Sequence, residues 1–106
     1  MAKWIEACDE SDVRTGDKWC TEVEGFALVL CNLEGRMFAA ANICPHAGMP
    51  LGDGDLVGPN LTCPYHAYTY NMKTGKNIDD PSDMGLVMFP IRIVDGRVQV
   101  QLPLAE

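Results

Sequence analysis

Histidine is scarce in this chain, which has only two histidines among 106 residues. Basic residues are also few: eight lysines and arginines stand against fifteen acidic residues, giving a formal net charge of −7. A surface of this charge repels phosphate groups, so nucleic acid and anionic membranes are not expected as partners. What the chain does with its two histidines becomes the first question about its chemistry.

Long apolar runs are missing as well. No stretch approaches the roughly 20 apolar residues of a membrane-spanning helix. The first residues, Met1 to Glu6, lack the apolar core of a signal peptide and turn acidic at once. The expected location is therefore the cytoplasm, with no membrane contact.

No segment shows a sustained helical period of apolar residues, and short strand-like runs separated by turn residues take its place. Phe26–Cys31 is a short apolar run typical of a buried strand, and Arg36–Asn42 is expected to return beside it. Near the end, Asp95-Gly96 joins two alternating runs, which indicates a type I′ hairpin. Residues 47–60 are too rich in glycine and proline for a helix. The fold class predicted from these patterns is all-β, a sandwich or a barrel.

Both histidines lie beside cysteines in the middle of the chain. The sequence reads Cys44-Pro45-His46, then sixteen residues, then Cys63-Pro64-Tyr65-His66. Two cysteines and two histidines suggest a metal site with four ligands, and zinc is one candidate. Zinc fingers usually pair cysteine with cysteine and histidine with histidine, whereas each pair here is mixed. Mixed pairs suit a two-iron cluster in which one iron takes both thiolates and the other takes both imidazoles.

The segments Cys44-Pro45-His46-Ala47-Gly48 and Cys63-Pro64-Tyr65-His66 resemble the two cluster-binding loops of Rieske proteins. The resemblance implies one domain over residues 1–106, an antiparallel β-sandwich or barrel with a cluster-binding subdomain at one tip. The loops would span about residues 43–53 and 62–70. It also implies one [2Fe-2S] cluster per chain, held by Cys44, His46, Cys63 and His66.

The resemblance further implies a soluble one-electron carrier without catalytic residues of its own. Rieske-type ferredoxins of bacterial oxygenase systems pass electrons from an NAD(P)H-dependent flavin reductase to a terminal ring-hydroxylating oxygenase. Respiratory Rieske proteins have two further loop cysteines, but Met49 and Tyr65 occupy the corresponding positions here. The alternatives are a small Rieske subunit of a nitrite reductase-like complex and a zinc-stabilised interaction module. Ala67 departs from the glycine that usually follows the second histidine in the family.

Three cysteines remain: Cys8, Cys20 and Cys31. An odd number without a secretory signal indicates reduced thiols, and the flanking apolar runs favour small buried side chains for all three. The acidic residues Asp79 and Asp83 lie in a polar loop and are expected to be solvated, as is Asp80 between them.

Two finer expectations concern the cluster end. The redox partner is expected to dock on Met49, Pro50 and Leu51, next to the histidines. The reduction potential is expected at the low end of the Rieske range, toward about −150 mV. Tyr68 occupies the position of a serine in high-potential relatives, whereas Tyr70 could keep a hydroxyl contact with a ligand thiolate.

Overall fold

A computed structural model of the chain describes residues 3–44, 50–64 and 68–103. These ranges form ten β-strands and two single turns of 3₁₀ helix. The strands are β1 (Lys3–Asp9), β2 (Lys18–Val23), β3 (Phe26–Leu33), β4 (Arg36–Ala41), β5 (Asp55–Val57), β6 (Asn60–Thr62), β7 (Thr69–Asn71), β8 (Met88–Phe89), β9 (Ile91–Val94) and β10 (Arg97–Leu102), and the 3₁₀ turns are Glu10–Asp12 and Leu51–Asp53.

The strands form three antiparallel sheets, in the orders β1-β10-β9, β2-β3-β4-β8 and β5-β6-β7. In the first sheet the first and last strands pair directly, with Lys3 opposite Leu102. The third sheet is inserted in the sequence between β4 and β8 of the second. Within the described ranges no sheet closes on itself. The all-β prediction is confirmed, in its sandwich form rather than as a closed barrel.

Strand β3 is the centre of the molecule because both of its faces are buried. Leu28 and Leu30 point into a core shared with Val98 and Val100 of the first sheet. Since side chains alternate along a strand, the intervening residues Val29 and Cys31 enter a second core. That core contains Leu61 and Tyr70 of the third sheet and both cysteines of the Rieske-like motifs. The second sheet is therefore the middle layer of the fold.

Three tight hairpins join neighbouring strands by the same device. The turn residues Asp95 and Gly96 have φ angles of 52° and 76°, the positive values of a type I′ turn. The predicted Asp-Gly hairpin is confirmed. Glu24-Gly25 and Glu34-Gly35 repeat the pattern, with φ angles of 52° and 82° and of 56° and 91°. Acidic residues are tolerated in this left-handed conformation because glycine follows them and the strands fix the ends.

The glycine-rich segment is more regular than the sequence predicts. Its described part contains the 3₁₀ turn Leu51–Asp53 and the strand β5, neither of which was expected. Strand β5 forms because Asp55, Leu56 and Val57 pair with β6, so a tertiary contact overrides weak local propensity. No helix in the described ranges is long and apolar enough to cross a membrane.

Candidate metal centre

The first cysteine, Cys44, follows β4 after Asn42 and Ile43. The strand was expected to lead into this residue, and it does, since β4 ends at Ala41. The Ile43 N–H donates to the Ala41 carbonyl over 2.8 Å, which turns the chain toward the interior. The Cys44 side chain is completely buried.

The second cysteine, Cys63, follows β6 directly and is also completely buried. Its N–H donates to the Tyr68 carbonyl over 2.8 Å. Beside this bond the hydroxyls of Thr62 and Thr69 lie 3.0 Å apart and share a hydrogen bond. The loop that begins at Cys63 is therefore closed at its base by two hydrogen bonds between flanking residues.

Both thiols enter the same core, together with Leu51, Leu61 and Tyr70. An apolar setting of this kind excludes water and holds side chains in fixed rotamers. None of the five cysteines, all of which are described, forms a disulfide. The thiols of two different loops therefore lie in one apolar core.

The hydroxyl of Tyr70 is a buried polar group with an unusual position. The residue is fully buried, and within the described ranges its hydroxyl has no hydrogen-bond partner of acceptable geometry. Burial raises the pKa of Tyr70, and negative charge on Asp83, Cys44 and Cys63 raises it further. The hydroxyl thus stays protonated beside both cysteines. A buried donor without a partner is costly, and a thiolate or sulfide acceptor at the cysteines would satisfy it, so these residues fit a [2Fe-2S] cluster.

The imidazoles of the two motifs belong to His46 and His66, and both lie outside the described residues, as does Met49. The structure therefore brings the two cysteines of the expected ligand set together and does not describe the two histidines. Among the expected docking residues, Pro50 is exposed, but Leu51 is completely buried. The expectation that Leu51 contacts a partner is wrong, because it packs in the core with both cysteines.

The loop between β7 and β8 is organised by Asn77, which is 3% exposed. Its Oδ1 accepts hydrogen bonds from the N–H groups of Asp79, over 2.8 Å, and Asp80, over 3.1 Å. The Asp79 carboxylate in turn accepts a hydrogen bond from the Thr69 N–H over 2.8 Å. This acidic segment was expected to be a solvated loop, but Asp79 fastens it to the strand that follows the second cysteine loop.

Sequence reasoning missed the roles of Asn77 and Asp79. The signal was present, since an asparagine two residues before an aspartate often forms a local side-chain to backbone turn. Within the described ranges, which leave out both histidines, no group of three or more acidic, histidine or cysteine side chains could hold a metal ion.

The other cysteines have three different environments. Cys31 is buried as predicted, and burial raises its pKa from 9.0 to about 12. Cys8 is half-buried, and burial followed by the charges of Asp12 and Asp9 raises its pKa to about 11. Cys20 is exposed, so the prediction of a buried side chain is wrong there. The reason is its position on β2, an edge strand of the middle sheet.

Comparison with known proteins agrees with this geometry. Residues 3–90 match the family described as Rieske [2Fe-2S] domain. A naphthalene 1,2-dioxygenase system ferredoxin component from Pseudomonas putida is 36% identical over 100 residues, which cover 94% of this chain and 96% of that protein.

Two solved structures have the same fold. The Sphingomonas yanoikuyae B1 ferredoxin matches with a TM-score of 0.86 and 27% identity, over 95% of this chain and 100% of that one. A chain in the complex of reduced oxygenase and oxidized ferredoxin in carbazole 1,9a-dioxygenase matches with a TM-score of 0.82 and 26% identity, over 92% of this chain and 91% of that one. The cofactor of this fold is one [2Fe-2S] cluster, and the chain belongs to the family of Rieske [2Fe-2S] domains.

Proposed function

We propose that this chain is the ferredoxin component of a ring-hydroxylating oxygenase system. It takes one electron at a time from an NAD(P)H-dependent flavin reductase and passes it to a terminal oxygenase. The observation that carries this proposal is the near full-length match to ferredoxin components of naphthalene dioxygenase systems. The match to a chain in an oxygenase–ferredoxin complex supports the same role. The chain is thus an electron-transfer component and not itself the oxygenase.

The proposed cluster ligands are Cys44, His46, Cys63 and His66. Support comes from the mixed order of the two motifs and from the burial of both thiols in one core. When bound, the cluster supplies a site that accepts and releases a single electron. The chain's own contribution is to exclude water from the thiolates, through Leu51 and Leu61, and to place the Tyr70 hydroxyl beside them.

A cytoplasmic location is part of the proposal. It is supported by five cysteines without a disulfide, which suits a reducing compartment. It also follows from the proposed electron donor, since NAD(P)H is used inside the cell.

The nitrite reductase-like alternative is less well supported, because the matched relatives carry ferredoxin names. The zinc alternative conflicts with the family match. The purified protein should contain about two irons and two acid-labile sulfides per chain and give a Rieske-type EPR signal when reduced. Stoichiometric zinc in an iron-replete preparation without visible absorption would contradict the cluster.

The carrier role itself needs a reconstituted assay. A flavin reductase and a naphthalene-type oxygenase should turn over substrate only when the loaded protein is added. The Cys63→Ala variant, which should lack the cluster, serves as the matched control. A loaded protein that is reduced by no such reductase, yet copurifies with a larger reductase subunit, would favour the nitrite reductase-like alternative.

A further inference from the structure

The segment Leu51–Gly54, called here the inter-loop spacer, leads from the first cysteine loop to β5. It forms one 3₁₀ turn, in which the Gly54 N–H donates to the Leu51 carbonyl over 3.0 Å. Three of its four residues, all except Asp53, are buried. The spacer therefore belongs to the interior and touches both cysteine loops.

The first contact of the spacer is a hydrogen bond to Asn42. The Asn42 Oδ1 accepts from the Gly52 N–H over 2.7 Å. Asn42 is itself fixed, because its own N–H donates to the Ala27 carbonyl of β3 over 2.8 Å. Asn42 precedes Cys44 by two residues, and Gly52 follows Cys44 by eight. One side chain thus ties together the two ends of the loop that starts at Cys44.

The second contact is made by Gly54 with the backbone around Cys63. A Cβ atom placed on Gly54 would lie 1.8 Å from the Thr62 carbonyl oxygen and 3.2 Å from Cδ of Pro64. Thr62 and Pro64 are the residues on either side of Cys63. A carbonyl oxygen held in a sheet cannot rotate away, so only glycine fits between the two loops. The spacer therefore packs against the residues on both sides of Cys63.

A third contact is softer. A Cβ atom on Gly52 would lie 2.2 Å from Sγ of Cys20 and 3.2 Å from Oδ1 of Asn42. The Cys20 thiol ends an exposed side chain that can rotate, so this neighbour could yield. The spacing of the two loops therefore depends on Asn42 and Gly54 more than on Gly52.

We propose that Asn42 and Gly54 are positioning residues for the cluster, which set the separation of Cys44 and Cys63 through the inter-loop spacer. Asn42 fixes the spacer to the first cysteine loop, and Gly54 fixes it to the second. Displacement of either thiolate weakens metal binding and changes the electronic environment of the irons. This role rests on the ligands proposed above, but testing it needs no redox partner.

The first test compares half-buried Asn42 with buried Asn32, since both side chains accept a hydrogen bond from a glycine N–H. Asn42→Ala leaves the Gly52 N–H unpaired in the interior and should release iron to a chelator about tenfold faster than wild type. Asn42→Asp keeps an oxygen acceptor and should stay within about twofold of wild type. The control is Asn32→Ala, because Asn32 Oδ1 accepts from the Gly35 N–H over 2.8 Å and its Nδ2 donates to the Val13 carbonyl over 2.9 Å. Asn32→Ala should lower the melting temperature without speeding iron release at equal stability.

The second test compares two glycines. Gly54→Ala should reduce iron occupancy and shift the EPR g values of the iron that remains. Gly96→Ala is the control, since its added Cβ meets nothing within 4 Å while its φ of +76° imposes strain in the β9–β10 hairpin of the first sheet. If Gly54→Ala yields no folded protein, the asparagine pair decides.

Equal iron release by Asn42→Ala and Asn32→Ala at matched stability would overturn the proposal. So would a fully loaded Gly54→Ala protein with the wild-type EPR spectrum. A wild-type protein that binds no iron would contradict the proposed ligands themselves, whereas a loaded wild type with unaffected Asn42→Ala would contradict only the positioning role.

Discussion

Among the described residues, Tyr70 is the one expected to influence the reduction potential of the cluster most directly. Its protonated hydroxyl is buried in the core that holds both cysteines, where the negative charges of Asp83, Cys44 and Cys63 act on it. A donor to a thiolate stabilises the reduced cluster more than the oxidised one, because reduction adds negative charge. A difference of roughly 1 kcal/mol between the two states shifts a one-electron potential by about 40 mV.

Replacing Tyr70 by Phe should therefore lower the reduction potential by a few tens of millivolts, about 40 mV for one such bond. Film voltammetry on the loaded proteins measures the reduction potential. The wild-type value should lie below zero, toward about −150 mV. Tyr68→Phe is the control, since Tyr68 packs at the edge of the same core and removal of its hydroxyl should leave the potential nearly unchanged. If Tyr70→Phe has the wild-type potential, the residue contributes packing alone.

The cysteines divide into those expected to bind iron and those that are not. Cys44→Ala and Cys63→Ala should abolish the visible spectrum and destabilise the fold, since cluster binding and folding are coupled. Cys8→Ser and Cys20→Ser should keep the spectrum, and Cys31→Ala should keep it while lowering stability because a buried atom is lost. Absorption spectra with iron analysis distinguish these cases. Loss of colour in any of the last three variants would show that the ligands are wrongly assigned.

The loop between β7 and β8 presents exposed apolar residues close in the fold to the chain that leads into Cys44. Met84 is 99% exposed and Val87 is 60% exposed. The Val87 carbonyl accepts from the Ala41 N–H over 2.8 Å, next to Ile43, which is 47% exposed and precedes Cys44. Encounters between electron carriers and their partners use small interfaces, so these residues replace Leu51 as the expected contact.

Met84→Glu should slow electron transfer to the oxygenase severalfold at limiting concentration, because a charge would have to be desolvated in the interface. The visible spectrum should not change. Val57→Glu is the matched control. Val57 is also strongly exposed, at 74%, but it lies at the end of β5 next to the turn into β6, where it pairs with Asn60. Stopped-flow reduction of the oxygenase compares the two, and equal rates for both variants would place docking elsewhere.

An element can be predicted from the sequence when the residues that cause it to form lie within the element itself. The Asp95-Gly96 hairpin and the buried run in β3 have local causes, a turn dipeptide and a continuous apolar stretch, and both were predicted. Strand β5 forms by pairing with β6 across a short turn, and Asp79 acts through a bond to Thr69 of β7, so neither depends on an apolar pattern in its own segment.

The site follows the same division. The motif predicts Cys44 and Cys63 as ligands, while the burial of Leu51 and the exposure of Cys20 depend on how the layers pack. Apolar character alone could not distinguish a docking residue from a core residue.

At the scale of the whole molecule, the burial of two thiols should make the free energy of unfolding vary with pH in the alkaline range. Cys8 has a pKa raised from 9.0 to about 11 and Cys31 one raised from 9.0 to about 12, chiefly by burial. Both ionise near pH 9 in the unfolded chain, so the folded state holds these protons more tightly. Their contribution to stability is complete below pH 9 and is lost as the pH rises through 11 and 12.

The free energy of unfolding should therefore fall above pH 9, and it should fall less steeply in Cys31→Ala than in wild type. Urea unfolding of the loaded proteins at pH 8, 10 and 11 measures the difference. Effects of pH on the cluster are common to both proteins and cancel in the comparison. A parallel decline in the two proteins would mean that the Cys31 thiol is not a source of the pH dependence.

The pairing of the first and last strands also determines how this domain could be circularly permuted or fused to another protein. With Lys3 opposite Leu102 across one sheet, the two ends of the described chain are neighbours on a single edge of the molecule. A short peptide could join them, and a new opening at the tight Glu24-Gly25 turn would leave both cysteine loops in their original order. A flavoprotein fused through either end would be tethered at nearly the same point. The choice of end would then change only which protein comes first in the fused chain. The length of the linker would set the effective concentration of the flavoprotein at the ferredoxin.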